Sequence, residues 1–368
     1  MNAVFWKNKK VLVTGHTGFK GSWLSLWLQM MGANVTGVSL PPPTSPNHFE
    51  AADVAKGMAS VLADVRDHEK LQAIMAGHRP EIIIHMAAQP LVRYSYQNPR
   101  ETYATNVMGT VNVLEAVRQL GGVRSVLVVT SDKCYENKDR LRGYREGEPL
   151  GGHDPYSSSK GCAELVTAAY RNSYFNINDY GRHGVGVASV RAGNVIGGGD
   201  WAEDRLVPDI MKALMENRHV TIRNPGAVRP WQHVLEPLGG YLSLAERLWG
   251  SGPAYSGAWN FGPDDENARP VSWIIETMIS LWGGSSRWTL DQGRNPYEAK
   301  YLRLDCTKVK TALGWSPKLG IFETLERVIR WYRDYQQGMD MRAVAEAEIA
   351  SYENLHDTGG VKLEHHEM

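Results

Sequence analysis

A chain of 368 residues is long enough to bury a large core, and its 40 Lys plus Arg balance 40 Asp plus Glu. No net field exists to hold a nucleic-acid backbone or an anionic membrane, so any anionic ligand must be met by local charge. Cys134, Cys162 and Cys306 are too scattered for a disulfide framework, no Cys or His spacing implies a metal, and no apolar run reaches the ~20 residues of a membrane span, so a cytoplasmic protein is expected.

Short β-branched runs alternate with longer amphipathic stretches through the first half, the rhythm of βαβ units and a parallel sheet. Strands are predicted near residues 11–14, 34–38, 61–63, 82–85, 125–130 and 185–190, with helices over 22–31, 67–76, 100–120 and 156–173. Gly32 and the Gly121-Gly122 pair stop helices, because glycine takes the left-handed conformation without a Cβ penalty. Pro41, Pro42, Pro43 and Pro46 mark a loop after the second strand. Beyond Arg191 the rhythm breaks up at Gly197-Gly198-Gly199, with shorter helices predicted over 205–216, 238–248, 271–281 and 321–336. The division expected is 1–190 as a dinucleotide-binding domain with returning segments near 230–255, then 191–229 and 256–340 as a substrate lobe, and 341–368 as a peripheral helix or tail.

Val11-Leu12-Val13-Thr14 leads into Gly15-His16-Thr17-Gly18-Phe19-Lys20-Gly21 and then an apolar helical run, which places the glycines at a strand-to-helix turn. A diphosphate needs backbone N–H groups and a helix N-terminus at close range, and glycines clear that approach. Lys20 either adds positive charge near the phosphates or is solvated. At the end of the second strand, where an Asp or Glu would hold the adenosine ribose, Ser39 and Leu40 stand instead. Ala87 and Ala88 end the fourth strand with small side chains that let the backbone approach a cofactor. Tyr156 and Lys160 sit four residues apart on one helix face, after Pro155 at a helix start. An adjacent ammonium and a positively charged cofactor ring would favour the phenolate, which could then accept a proton from a substrate hydroxyl.

Taken in this order, the GxxGxxG turn, the Tyr-x-x-x-Lys pair and the intervening Thr130-Ser131-Asp132-Lys133-Cys134-Tyr135 resemble the sugar-nucleotide dehydratases and epimerases of the extended short-chain dehydrogenase/reductase family. The resemblance spans roughly residues 8 to 335. It implies an α/β fold, a Rossmann doubly wound parallel sheet with a smaller mixed α/β substrate-binding lobe, and NAD as cofactor. Asp64-Val65 is similar to the family's adenine-contacting pair, although Asp64 could instead cap the next helix. Asn106 matches a helix-bending asparagine on the cofactor side.

Where related dTDP-glucose 4,6-dehydratases read Thr-Asp-Glu, this chain reads Ser131-Asp132-Lys133, which is similar to the CDP-glucose branch of the family. The resemblance implies a lyase reaction in deoxysugar assembly of the lipopolysaccharide O-antigen kind. Tyr156 removes the O4 proton as hydride leaves C4, Lys133 takes the C5 proton, Asp132 protonates the departing C6 hydroxyl, and hydride returns to C6. For those roles Lys133 needs a pKa below its usual ~10.4 and Asp132 one above ~3.9. Lys133 could alternatively orient hydroxyls or stabilise an enolate.

On the substrate side, Gln89, Arg93 and Ser95 lie in a segment similar to a sugar-facing loop, with ordinary loop residues as the alternative. Asn194 resembles a nucleotide-sugar contact. Arg205, Arg229 and Arg294 are candidates to neutralise the diphosphate, Arg229 in an Arg-x-Trp motif. Asp200 and Trp201 could form a base pocket, Trp201 either stacking on a pyrimidine or packing in an aromatic core. The family pattern also implies a homodimer through the helices at 100–120 and 156–173. A 4-epimerase, another sugar-nucleotide dehydratase, or an NAD-binding regulator without catalysis remain alternatives at this point.

Overall fold

A computed structural model describes residues 2–283, 286–291, 293 and 301–355. Seven strands form one sheet in the order β10-β6-β5-β4-β1-β2-β3. They are β1 (Lys10–Thr14), β2 (Asn34–Ser39), β3 (Ala59–Leu62), β4 (Ile82–His85), β5 (Ser125–Val129), β6 (Gly186–Ala192) and β10 (Gly257–Phe261). Every pairing in this sheet is parallel, with β1 flanked by β2 and β4. The chain reverses direction at β1, so the crevice above β1 and β4 is the topological switch point where such sheets bind ligands.

Alternation along the strands explains why both faces are covered. Val11, Val13, Ile82, Ile84, Leu127 and Val129 enter one core cluster, while Leu12, Ile83, Val126 and Val128 enter the other. Side chains of period two on a central strand point to opposite faces, and a run apolar at every position needs helices on both. The first face is closed by the helix Phe19–Met30, with Trp23 and Trp27 fully buried, and by Leu235–Tyr255. On the second face lie His68–His78, Gly109–Gln119 and Pro155–Ser173.

Several boundaries differ from the sequence expectation. The first long helix begins at Phe19, because Gly18 in extended conformation serves as its N-cap. The helix expected over 100–120 is broken into Pro99–Tyr103, a π turn at Ala104–Met108, and Gly109–Gln119. The segment 256–340 does not belong wholly to a separate lobe, since Gly257–Phe261 pairs with β6 at the edge of the main sheet. β7 (Asn194–Ile196), β9 (Val228–His233) and β11 (Ala268–Pro270) make a three-stranded sheet. β8 (Val220–Ile222) and β12 (Trp288–Leu290) pair beside it. Among the described residues, no helix is long and apolar enough to cross a membrane.

Candidate active site

The glycine turn joins β1 to the helix Phe19–Met30 directly beneath the switch point. Gly15 has φ +79, and a Cβ there would meet the Ala87 backbone nitrogen at 2.8 Å. A Cβ on Gly21 would lie 2.0 Å from the Gly15 carbonyl oxygen. Both positions therefore admit only glycine, and the turn stays tight against the end of β4. The first N–H groups of the helix have no acceptor within it, so Phe19, Lys20 and Gly21 present donors to an anion. This cradle fits the diphosphate of a dinucleotide.

Tyr156 lies in the first turn of the helix Pro155–Ser173, whose N-cap Asp154 accepts from Ser157. Lys160 follows one turn on, and its Nζ donates to the Val129 carbonyl at 3.2 Å, which aims it at the end of β5. Beyond β5, Ser131 caps a single 3₁₀ turn, Asp132–Cys134. Asp132 Oδ1 accepts from the Ser131 hydroxyl at 3.0 Å, and Lys133 Nζ stands 5.9 Å from the centre of the Tyr156 ring. Strand end and helix start thus bring Asp132 and Lys133 beside Tyr156 and Lys160.

Burial governs the electrostatics. It raises the Asp132 carboxyl above the ordinary carboxylate range, against the opposing pull of the Lys133 charge and the Ser131 hydrogen bond. Burial pushes the Tyr156 phenol up to about 12, with a hydrogen bond from Ser131 acting the other way. For Tyr156 desolvation outweighs the lysine effect expected from spacing alone. Lys160 is lowered to about 7 by burial and then by the charge of Lys20, while Glu164 opposes the change. Lys20 itself falls to about 8 through burial and Arg205.

These groups line a cavity of about 410 Å³ that runs from the glycine turn to the small sheets. Lys20, Ser131, Asp132, Lys133, Tyr156 and Lys160 line it together with Asn194, Asp200, Arg205 and Arg229. Arg205 donates to Asp200 at 2.9 Å and Arg229 to the Val228 carbonyl at 3.0 Å. Guanidinium and ammonium groups thus share one cavity, where they can neutralise a bound diphosphate.

A family model described as the NAD dependent epimerase/dehydratase family matches residues 11–249. The chain belongs to that family. Its curated relatives include a CDP-glucose 4,6-dehydratase of Salmonella typhimurium, 56% identical over 348 residues, covering 95% of this chain and 97% of the relative. A dTDP-glucose 4,6-dehydratase of Streptomyces griseus is 27% identical, covering 89% and 94%. Among solved structures, a UDP-glucose 4-epimerase of Stenotrophomonas maltophila with bound NAD aligns with a TM-score of 0.78 at 20% identity, covering 90% and 100%. A dTDP-glucose 4,6-dehydratase of Bacillus anthracis in complex with NAD aligns with a TM-score of 0.73 at 21% identity, covering 91% and 99%. The shared fold is the Rossmann-type sheet described above, and NAD is the cofactor of the family.

Within this family site, several residues expected to touch ligands are placed otherwise. Gln89 spends its amide on the loop, donating to Thr102 Oγ1 at 2.8 Å and accepting from Leu91 N at 2.5 Å. Ser95 is fully buried beneath the tyrosine, donating to the Val92 carbonyl and accepting from the Tyr156 backbone N–H at 3.2 Å. It steadies Tyr156 and does not face the cavity. Trp201 packs edge-on against Tyr332 at 5.0 Å and beside Tyr335, so the aromatic-core alternative describes it.

Arg93 lines the cavity but reaches Asp204 at 3.1 Å, bridging the loop after β4 to the outer wall. Asn106 donates to the Gln89 carbonyl and to Ser159, and accepts from Gln89 N. It fixes the π turn against the loop after β4. His16 is buried over Gly37, bonds Ser60 at 2.7 Å and is lowered to about 4 by burial, which keeps it neutral. Thr17 ties the turn to the end of β2 through Ser39 and the Leu40 carbonyl, both at 2.8 Å. Asp64, after β3, is held by Arg66 at 2.6 Å, and Val65 packs under Gly109. Arg294 lies outside the described residues. Sequence reasoning missed Glu164, Asp204 and Arg223, since each draws its meaning from partners distant in the chain.

Proposed function

We propose that this chain is a lyase that converts CDP-D-glucose to CDP-4-keto-6-deoxy-D-glucose. The observation that carries the proposal is the turn holding Asp132 and Lys133 against Tyr156 in one cavity. Epimerisation at C4 needs the tyrosine and lysine alone, whereas eliminating water across C5 and C6 needs an additional acid and base. The choice of CDP-glucose rests on the 56% identical relative that bears that activity in its name.

Bound NAD would supply the hydride acceptor for C4 and the hydride that returns to C6, after which the proton held on Lys133 goes back to C5. Tyr156 takes the O4 proton, with Lys160 holding positive charge behind it. The resulting 4-keto group acidifies C5, whose proton passes to Lys133 Nζ. Asp132, whose carboxyl burial shifts toward the acid form, gives a proton to the C6 hydroxyl, which leaves as water. Arg205 and Arg229 bind the substrate diphosphate, and residues of the 191–229 and 256–340 segments enclose the nucleotide.

The working protein is a cytoplasmic homodimer serving deoxysugar synthesis of the O-antigen kind. Exposed Tyr103, Met108 and Leu165 on the 99–119 and 155–173 elements support that pairing. Sedimentation as a monomer would overturn it. The reaction is tested by incubating the protein with CDP-, dTDP-, GDP- and UDP-linked hexoses in deuterated water, followed by mass and NMR analysis. A 4-keto-6-deoxy product with solvent deuterium at C5 and no net NADH is expected from CDP-glucose. Inverted C4 with an intact C6 hydroxyl would identify an epimerase, and binding of NAD without turnover would identify a regulator.

A further inference from the structure

One buried ion pair touches every element that carries the chemistry, yet lines none of the cavity. Arg191 on β6 and Glu164 on the Tyr156 helix meet at 2.7 Å, each side chain only 3% exposed. Burying two charges this deeply is costly unless their remaining donors and acceptors are satisfied. Here most of them are met by or beside the segment that presents the acid and base, although Arg191 Nε has no partner among the described residues. Glu164 Oε1 accepts from Thr130, immediately before the Ser131–Cys134 stretch, and Oε2 accepts from Ser189 at 2.7 Å. Arg191 donates to the Tyr135 hydroxyl at 2.6 Å, immediately after that stretch, and to the Glu146 carbonyl at 3.1 Å.

Tyr135 in turn donates to Asn260 Oδ1 at 2.8 Å. Asn260 also holds the Tyr144 and Asp305 carbonyls, fixing the loop that follows. Both ends of the acid/base turn are therefore clamped by the two members of one pair. Glu164 sits four residues beyond Lys160, on the same face of the helix that carries Tyr156. Gly161 lets the segment paired with the turn come close to that helix, since a Cβ there would lie 3.1 Å from the carbonyl oxygen of Gly151, whose N–H donates to the Cys134 carbonyl at 2.9 Å.

We propose that the Glu164–Arg191 pair, acting through Thr130 and Tyr135, is the positioning device that sets the register between the oxidising group, Tyr156 with Lys160, and the eliminating group, Asp132 with Lys133. The inference rests on the dehydratase reading above, because only an enzyme with two successive steps at neighbouring carbons needs that register held. Neither residue touches substrate. Their loss displaces the turn relative to the helix, so elimination suffers while oxidation at C4 continues.

Glu164→Gln and Tyr135→Phe test this. Glu164→Gln uncouples a buried charge and endangers folding; Tyr135→Phe deletes one hydroxyl and leaves the ion pair and core intact. For Tyr135→Phe, KM and NAD affinity should hold while kcat falls by about 10²-fold, the cost of a displacement near 1 Å. Enzyme-bound NADH should accumulate during turnover, because hydride leaves C4 faster than water leaves C6. In the protein without substrate, hydrogen exchange should quicken at residues 131–135 and stay unchanged at 156–164.

A merely structural hydroxyl would lower thermal stability and slow both steps in proportion. That result, or unchanged partition between NADH build-up and product, overturns the inference alone if the parent enzyme is productive. A parent that yields no 4-keto-6-deoxy sugar overturns the functional reading and this inference with it.

Discussion

Replacing Asp132 by Asn isolates the proton that elimination requires. The side chain is 3% exposed, its Oδ1 accepts from Ser131 at 3.0 Å, and its Oδ2 lacks a hydrogen-bond partner among the described residues. Asparagine keeps the shape and the Ser131 bond but has no acidic proton to give. Loss of a positioned general acid costs about 10²- to 10⁴-fold in rate. At about 1.4 kcal/mol per tenfold, this amounts to roughly 3–6 kcal/mol of barrier.

A paired assay with CDP-glucose and its 6-deoxy-6-fluoro analogue separates acid catalysis from misplacement, because fluoride departs without a full proton transfer. Asp132→Asn should lose most of its turnover on the hydroxyl substrate and retain most of it on the fluoride. C4 oxidation, followed by bound NADH, should persist with both. Equal loss on the two substrates, or loss of oxidation as well, would refute the acid assignment. Stability gives an independent check with a definite sign. The folded pKa of Asp132 is raised, so the buried carboxyl weakens the fold once pH climbs above its unfolded value and most strongly above its folded value. Asp132→Asn should therefore raise Tm at pH 8, and the gain should vanish toward pH 3.

Three further outcomes are expected. Gly21→Ala places a methyl 2.0 Å from the Gly15 carbonyl oxygen, and the ~1–3 kcal/mol of overpacking should weaken NAD binding by about tenfold or more in a fluorescence titration; unchanged affinity would count against the cradle. Ser95→Ala strands the Tyr156 backbone N–H in a buried site at a cost of ~1–3 kcal/mol, lowering kcat while leaving KM nearly unchanged; a KM effect alone would return Ser95 to the sugar site. Lys160, lowered to about 7 from 10.5, carries a buried-charge penalty that is full below pH 7 and relieved between pH 7 and 10.5. Lys160→Met should accordingly raise Tm at pH 6, with the difference shrinking by pH 10 and NAD affinity reduced throughout.

What the sequence determined by itself is whatever depends on near neighbours in the chain. The strand-to-helix glycine turn, the apolar runs of a sheet covered on both faces, and the four-residue spacing of Tyr156 and Lys160 are all local rules of backbone geometry. They place the glycine turn between β1 and its helix, and the helix that carries Tyr156, within a few residues at each boundary. The adjacency of Asp132 and Lys133 after β5 is local in the same sense.

Only the tertiary structure decided which polar side chains face the cavity and which are consumed beneath it. Gln89 and Ser95 resemble sugar contacts in a loop after a strand, and Asn106 a helix-bending residue on the cofactor side, yet their hydrogen bonds close on Thr102, Tyr156 and Ser159. Trp201 finds Tyr332, some 130 residues away, as its neighbour. The strand Gly257–Phe261 joins the main sheet only because β6 offers an open edge, a partner no local pattern names. Buried polar groups must find partners wherever the fold supplies them, and those partners are set by packing across the chain. The Glu164–Arg191 pair is the extreme case, since its meaning lies entirely in four segments that the sequence keeps apart.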